Sequence, residues 1–209
     1  MDPGLSQLDT ATIFVIDDDA SVRSGLARLF RSIDLEVETH PDAREFLARP
    51  AYTGTGCLVL DVRMPDMSGP ELQDWMAAND VGLPIVFLTG HLDVTSGVRA
   101  MKRGAVDYLL KPVDDELLIE TVRGAIQRHA AQRASQERVQ AIRAMLARLS
   151  RREHEVLLFV IAGLLNKQIA DRLAISLKTV KAHRARVMEK MKVGSVAELV
   201  HLCDAVGLP

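Results

Sequence analysis

The chain of 209 residues carries 26 Lys and Arg against 28 Asp and Glu, a formal net charge of −2, and 48% of it is hydrophobic. That is apolar enough for a buried core and excludes wholesale disorder. Its longest apolar runs, such as Val81 to Leu88, fall far short of the roughly 18 residues of a membrane-spanning helix. The small net charge hides a division. Residues 1–128 hold 12 basic against 21 acidic side chains (−9), residues 129–148 hold 4 against 1 (+3), and residues 149–209 hold 10 against 6 (+4). An acidic front and a basic back point to two domains with different partners, the second suited to a polyanion.

In chain order, Met1 to Thr10 is acidic and contains Ser and Gln. It lacks a basic start followed by an apolar stretch, so it does not read as a signal peptide. Residues 1–11 are expected to form a disordered or extended tail. From there, short β-branched runs at Thr12–Ile16, Leu35–Thr39, Cys57–Leu60, Ile85–Leu88 and Ala105–Leu110 alternate with helical patterns near 20–32, 42–49, 69–79, 93–103 and 114–128. Five β/α repeats imply a parallel sheet with helices on both faces, an α/β doubly wound five-stranded fold over residues 12–128. Runs such as Cys57-Leu58-Val59-Leu60 are continuously apolar, as strands buried on both faces must be. Ligands of such a fold gather at the carboxyl ends of its strands. Cys57 and Cys203 are lone thiols in apolar contexts, which favours a reducing compartment, with the cytoplasm as default.

Residues 113–149 lack helix breakers apart from Gly124. Leu118, Val122, Ile126 and His129, then Val139, Ile142, Met145 and Leu149, recur at helical spacing. Residues 129–148 therefore read as a helical linker continuing the preceding helix, with a solvated spacer as the alternative. From residue 149 the pattern is all helical. Ser150-Arg151-Arg152-Glu153 is a capping box, and a helix runs from it to a stop at Gly163. A short helix over about 166–174 leads through Ala174-Ile175-Ser176 to a longer one ending near Met191, and Gly194 and Ser195 introduce the last. Four helices in residues 149–209, the second and third tightly joined, give a small all-α helix-turn-helix domain.

The strand ends carry the chemistry. Asp17, Asp18 and Asp19 close the first strand, Asp61 the third, Thr89 the fourth and Lys111 the fifth. Taken singly, any of these carboxylates could be a helix N-cap. Together, carboxylates within about 5 Å repel by several kcal/mol at an effective dielectric of about 20, so the set needs a hard cation or a cationic side chain. Oxygen ligands with open water positions suit Mg²⁺. Phosphoryl transfer to Asp61 needs such a set, with Lys111 and Thr89 holding phosphoryl oxygens.

Phe14-Val15-Ile16-Asp17-Asp18-Asp19, Leu58-Val59-Leu60-Asp61-Val62-Arg63-Met64-Pro65-Asp66-Met67-Ser68-Gly69, Phe87-Leu88-Thr89-Gly90 and Tyr108-Leu109-Leu110-Lys111-Pro112 resemble the signature segments of a response-regulator receiver domain of the flavodoxin/CheY-like fold. The resemblance implies Asp61 as phosphoacceptor. It implies Mg²⁺ (or Mn²⁺) held by Asp17, Asp18, Asp61 and the backbone carbonyl of Arg63, with Asp19 as a helix-start carboxylate. It further implies Thr89 and Tyr108 as a switch pair, a cis Lys111–Pro112 bond, and Arg63 and His91 at positions that tune loss of the phosphoryl group. A dimer surface near Val98, Met101 and Leu110 rests on the same resemblance.

Leu149 to Leu157, Gly163 through Asn166-Lys167-Gln168-Ile169-Ala170, and Thr179-Val180-Lys181-Ala182-His183-Arg184 resemble the output domain of FixJ/NarL-type, LuxR-like regulators. Spacing gives the third helix a core face of Val180, Val187 and Met191 and an outer side of Lys178, Lys181, Ala182, Ala185 and Arg186. Basic side chains reach phosphates and base edges, and alanines permit close approach. Lys181 and Arg186 are expected at or near base edges, and Lys178, Thr179, Asn166 and Lys167 at phosphates. Leu177 is less polar than this edge requires; it either touches a sugar or a thymine methyl, or packs on the preceding turn. His183 is expected against the bundle, and His129, His154 and His201 read as isolated.

The expectation is a two-component transcriptional regulator, not an enzyme, whose partners are a sensor histidine kinase, double-stranded promoter DNA, RNA polymerase and a second copy once phosphorylated. A regulator independent of phosphorylation is one alternative. An aspartate-nucleophile phosphatase is another, although Arg63 stands where its second acid belongs. A flavodoxin-like nucleotide binder conflicts with Asp17-Asp18-Asp19, which would repel phosphate.

Overall fold

The computed structural model describes residues 11–91 and 93–208. The expected tail thus lies outside the described residues except for Ala11, which is fully buried with Ile13 and Val15. Its small apolar side chain belongs to the core and not to a tail. The chain divides into two compact units, the first ending at Arg133 and the second starting at Ala134.

The first unit contains β1 (Thr12–Ile16), α1 (Ala20–Arg31), β2 (Glu36–His40), α2 (Ala43–Ala48), β3 (Gly56–Asp61), α3 (Gly69–Ala78), β4 (Ile85–Thr89), α4 (Val94–Lys102) and β5 (Asp107–Leu110), together with α5 (Asp115–Ala147) as far as Arg133. All strand pairs are parallel, in the order β2-β1-β3-β4-β5. Because β1 pairs with β2 on one side and β3 on the other, the order reverses between β1 and β3, and their carboxyl ends border the crevice where doubly wound sheets bind ligands.

Alternation along the strands sorts the core into two layers. Phe14, Ile16, Leu58, Leu60 and Phe87 pack with Phe46 of α2, Leu72 and Met76 of α3 and Ala100 of α4. Ile13, Val15, Cys57, Val59, Val86 and Leu88 pack with Leu26 and Phe30 of α1 and Leu118, Val122 and Ile126 of α5. Continuous apolar runs are what a strand covered on both faces requires.

Two strands start later than their sequence suggests. Asp34 adopts a left-handed φ of 62° and the Leu35 amide donates to the Phe30 carbonyl, so Leu35 closes the turn after α1 and β2 runs on to buried His40. Likewise Gly104 at φ 92°, with the Ala105 amide on the Ala100 carbonyl, makes residues 104–105 the end of α4, and β5 begins at Asp107.

The second unit holds α6 (Arg151–Ile161), α7 (Asn166–Leu173), α8 (Leu177–Lys190) and α9 (Val196–Asp204). Ile142 of α5 joins Val156, Leu157, Ile169, Val180, Val187, Met191, Leu199 and Cys203 in one core. Ser150 and Glu153 form the capping box of α6, and Ser176 and Ser195 cap α8 and α9. Ala174 ends α7 in the left-handed region at φ 53°, which makes the tight turn into α8. Glu153, 3% exposed, also accepts from Lys190 Nζ at 2.6 Å. The Lys190 hydrogen bond first, then the Ser150 amide, holds its carboxyl down at about 2. Among the described residues no helix is long and apolar enough to cross a membrane.

Candidate functional site

Each strand bordering the crevice delivers one functional group at its carboxyl end. Asp17 directly follows β1, Asp61 ends β3, Thr89 ends β4 and Lys111 directly follows β5. Asp17 and Asp61 are 2% and 7% exposed, and Lys111 Nζ lies 2.5 Å from an oxygen of each. The other oxygens are also committed. Asp17 Oδ1 accepts from the Asp19 amide at 3.0 Å, and Asp61 Oδ2 from the Arg63 amide at 2.7 Å. Even so, burial raises the Asp17 carboxyl above its ordinary range, since it outweighs the Lys111 hydrogen bond and the neighbouring Asp61 charge adds to it. Burial works against the charged form of Lys111 too, but its hydrogen bonds to Asp17 and Asp61 prevail and raise it.

The backbone fixes this arrangement. The Lys111 amide donates to the Thr89 carbonyl at 2.7 Å, and Lys111–Pro112 is cis. Arg23 of α1 donates to the Asp17 carbonyl at 2.6 Å. At Gly69 a Cβ would stand 2.4 Å from the Asp61 carbonyl oxygen, so only glycine lets α3 begin against the strand end. Arg23 and Gly69 were not legible as site-building residues. Gly69 falls inside a recognisable segment, but its reason is this close approach.

The remaining expected residues are placed unevenly. Asp18 is exposed, and among the described residues no three His, Cys, Asp or Glu side chains converge as a metal site would need. Asp19 caps α1 by accepting from the Ser21 and Val22 amides. The Arg63 side chain is exposed while its amide serves Asp61. The Thr89 hydroxyl donates to the His91 carbonyl at 2.9 Å. Tyr108 is half-buried beside Phe87, with ring centroids 5.9 Å apart, and lies against Gly97 of α4. A divalent cation fits the donor chemistry. Asp17 and Asp61 present hard oxygens to a single cation-sized point, now reached by Lys111 Nζ, and Mg²⁺ takes one or two carboxylates and completes its shell with water.

In the second unit, Lys178, Lys181, Ala182, Ala185 and Arg186 are all exposed on α8 while Val180 and Val187 are buried. Thr179 is tied to the Ser176 cap. Lys167 is exposed, and Asn166 accepts from Arg184 at 2.9 Å, so this pair fixes the start of α7 to the middle of α8. His183 is partly buried, and its Nδ1 has no hydrogen-bond partner among the described residues. His129 is not isolated: it is 8% exposed, with Nδ1 3.1 Å from the Gly56 amide.

Residues 13–123 match the response regulator receiver domain family, and residues 147–203 match the bacterial regulatory proteins of the luxR family. The chain is 42% identical to nodulation protein W of Bradyrhizobium diazoefficiens, with 95% of this chain and 87% of that protein covered. It is 43% identical to the transcriptional regulatory protein FixJ of Rhizobium meliloti, with 94% and 96% covered. Among solved structures, response regulator StyR superposes with a TM-score of 0.89 at 46% identity over 93% of this chain and 98% of that one. Full-length FixJ from B. japonicum gives 0.59 at 42% identity over 96% and 98%. The chain belongs to the two-component response regulators that join a receiver domain to a LuxR-type helix-turn-helix DNA-binding domain.

Proposed function

We propose that Asp61 accepts a phosphoryl group from a phosphohistidine of a sensor histidine kinase and that this phosphorylation turns on promoter binding by α8. The observation that carries the reading is the Lys111 ammonium 2.5 Å from both Asp17 and Asp61 at the crevice of the sheet. An oxygen of Asp61 forms the new O–P bond as the N–P bond to the histidine breaks, and the imidazole leaves. Asp17 and Asp61, with the Arg63 carbonyl and with Asp18 from the rim, would hold Mg²⁺ or Mn²⁺, which supplies positive charge to the transferring group. Lys111 leaves the Asp61 carboxylate for a phosphoryl oxygen. Thr89 turns its hydroxyl from the His91 carbonyl toward the same group, and Tyr108 moves into the space behind it.

The exposed Val98, Met101 and Leu110 then pair two copies, and the twofold product reads half-sites with Lys181 and Arg186 near base edges and Lys178, Thr179, Asn166 and Lys167 on phosphates. Ala182 and Ala185 allow the close approach. The receiver domain of residues 12–128, the helical linker of residues 129–148 and the output domain of residues 149–209 work in the cytoplasm, where RNA polymerase is the further partner.

Incubation of the full chain with acetyl phosphate and Mg²⁺, beside Asp61→Asn, tests this. Intact mass rises by one phosphoryl group and affinity for promoter-type DNA increases only with Asp61 present. Equal mass gain on the variant would sink the assignment.

A further inference from the structure

Among the described residues of the second unit, the large hydrophobic side chains left exposed are Leu165 and Leu177, at 70% and 45%. Their neighbours Leu164, Leu173 and Ile175 pack on the core. The two exposed leucines stand at the starts of the two helices of the helix-turn-helix. Leu165 is the N-cap of α7 and makes no side-chain cap bond, at a position where Ser, Thr, Asp or Asn would stabilise the helix. Leu177 is the first residue of α8. Leu165 stands mostly in solvent and forgoes a cap, and Leu177 leaves nearly half of its surface uncovered, so the fold alone does not account for them.

Leu177, Lys181 and Arg184 are spaced i, i+4 and i+7 along one edge of α8, beside the row Lys178, Ala182 and Ala185. The flanking lysines and Arg186 select a polyanion, and the first turn of a recognition helix is where side chains meet base edges in the major groove. An aliphatic side chain there can neither donate nor accept a hydrogen bond. The apolar feature on the major-groove edge is the thymine methyl.

We propose that Leu177 is a specificity-determining residue that packs on a thymine methyl in each half-site, while Leu165 contacts the sugar–phosphate backbone without reading sequence. This rests on the DNA-binding reading above.

The test starts from the full chain treated with acetyl phosphate and Mg²⁺, which selects duplexes from a random pool. In the selected site each thymine is then replaced in turn by uracil, which removes only the methyl. Wild-type affinity falls about fourfold per half-site at one thymine, the worth of one buried methyl. Leu177→Ala loses that sensitivity, Leu177→Met keeps most of it, and Leu165→Ala weakens every duplex equally. If Leu177→Ala shows the same uracil penalty as the wild type at every thymine, the inference is overturned while the DNA-binding reading stands. If the wild-type chain enriches no duplex, both fall.

Discussion

Each unit buries a carboxylate against a lysine, and the two acids titrate in opposite directions. Glu153 is held at about 2 because Lys190, whose other recipient is the neutral Arg148 carbonyl, donates to it and the Ser150 amide supplies a further donor. Asp17 is raised, first by burial, which outweighs the hydrogen bond from a Lys111 shared with Asp61, and then by the neighbouring Asp61 charge. One cation per carboxylate makes a structural clamp. One cation for two leaves negative charge undercompensated at the crevice.

Substitutions can break this contrast. The largest effect is expected for Lys111→Met, which leaves two buried carboxylates facing each other. The first unit should lose about 3 kcal/mol, and millimolar Mg²⁺ should restore part of it. Trp75 is the one tryptophan of the chain, so its fluorescence during urea unfolding reads the first unit. Glu153→Ala should cost the second unit about 2 to 3 kcal/mol through loss of the capping box and the charged hydrogen bond, seen as an earlier helical transition by circular dichroism.

Asp17→Asn should act with the opposite sign. Removing an undercompensated charge should stabilise the first unit by about 1 kcal/mol while slowing phosphoryl uptake from acetyl phosphate. A destabilised Asp17→Asn would contradict the reading of the crevice.

Acid separates the pair again. The folded-state value of Glu153 lies below its ordinary 4.5, so its contribution is whole above 4.5 and disappears as pH falls toward about 2. Asp17 is raised above 3.8, so its ionisation penalty is present at neutral pH and is relieved as pH falls through the raised value. Acid titration followed residue by residue by NMR should show Glu153 protonating well after Asp17. The smallest effect concerns Cys57, whose thiol burial pushes up to about 12. A thiol reagent at neutral pH should label it only at the rate at which the first unit opens.

The parts of this molecule governed by periodicity were readable in the chain. Strands covered on both faces show as unbroken apolar runs, and the rim residues follow those runs directly. Edges were less legible. Glu36-Val37-Glu38-Thr39-His40 alternates because β2 lies at the margin of the sheet, and its end is set by the burial of His40. Contacts joining distant positions left no local pattern. Lys190 meets Glu153 across 37 residues, and His129 meets Gly56 across 73. Asp18 stands in the same acidic run as Asp17, but the chain leaves β1 there and turns it to solvent.

The His129 contact has a practical consequence for dissecting the protein. His129 bonds to the backbone at the start of β3, and Arg133 donates to the Gly54 carbonyl just before it. Both lie beyond residue 123, where the receiver match ends. A fragment cut at that sequence boundary would leave the amino-terminal edge of the central strand unbraced, whereas one carried through Arg133 keeps both anchors. Where this regulator can be divided is therefore decided by two side chains gripping a loop at the opposite end of the strands from the rim that carries Asp17 and Asp61.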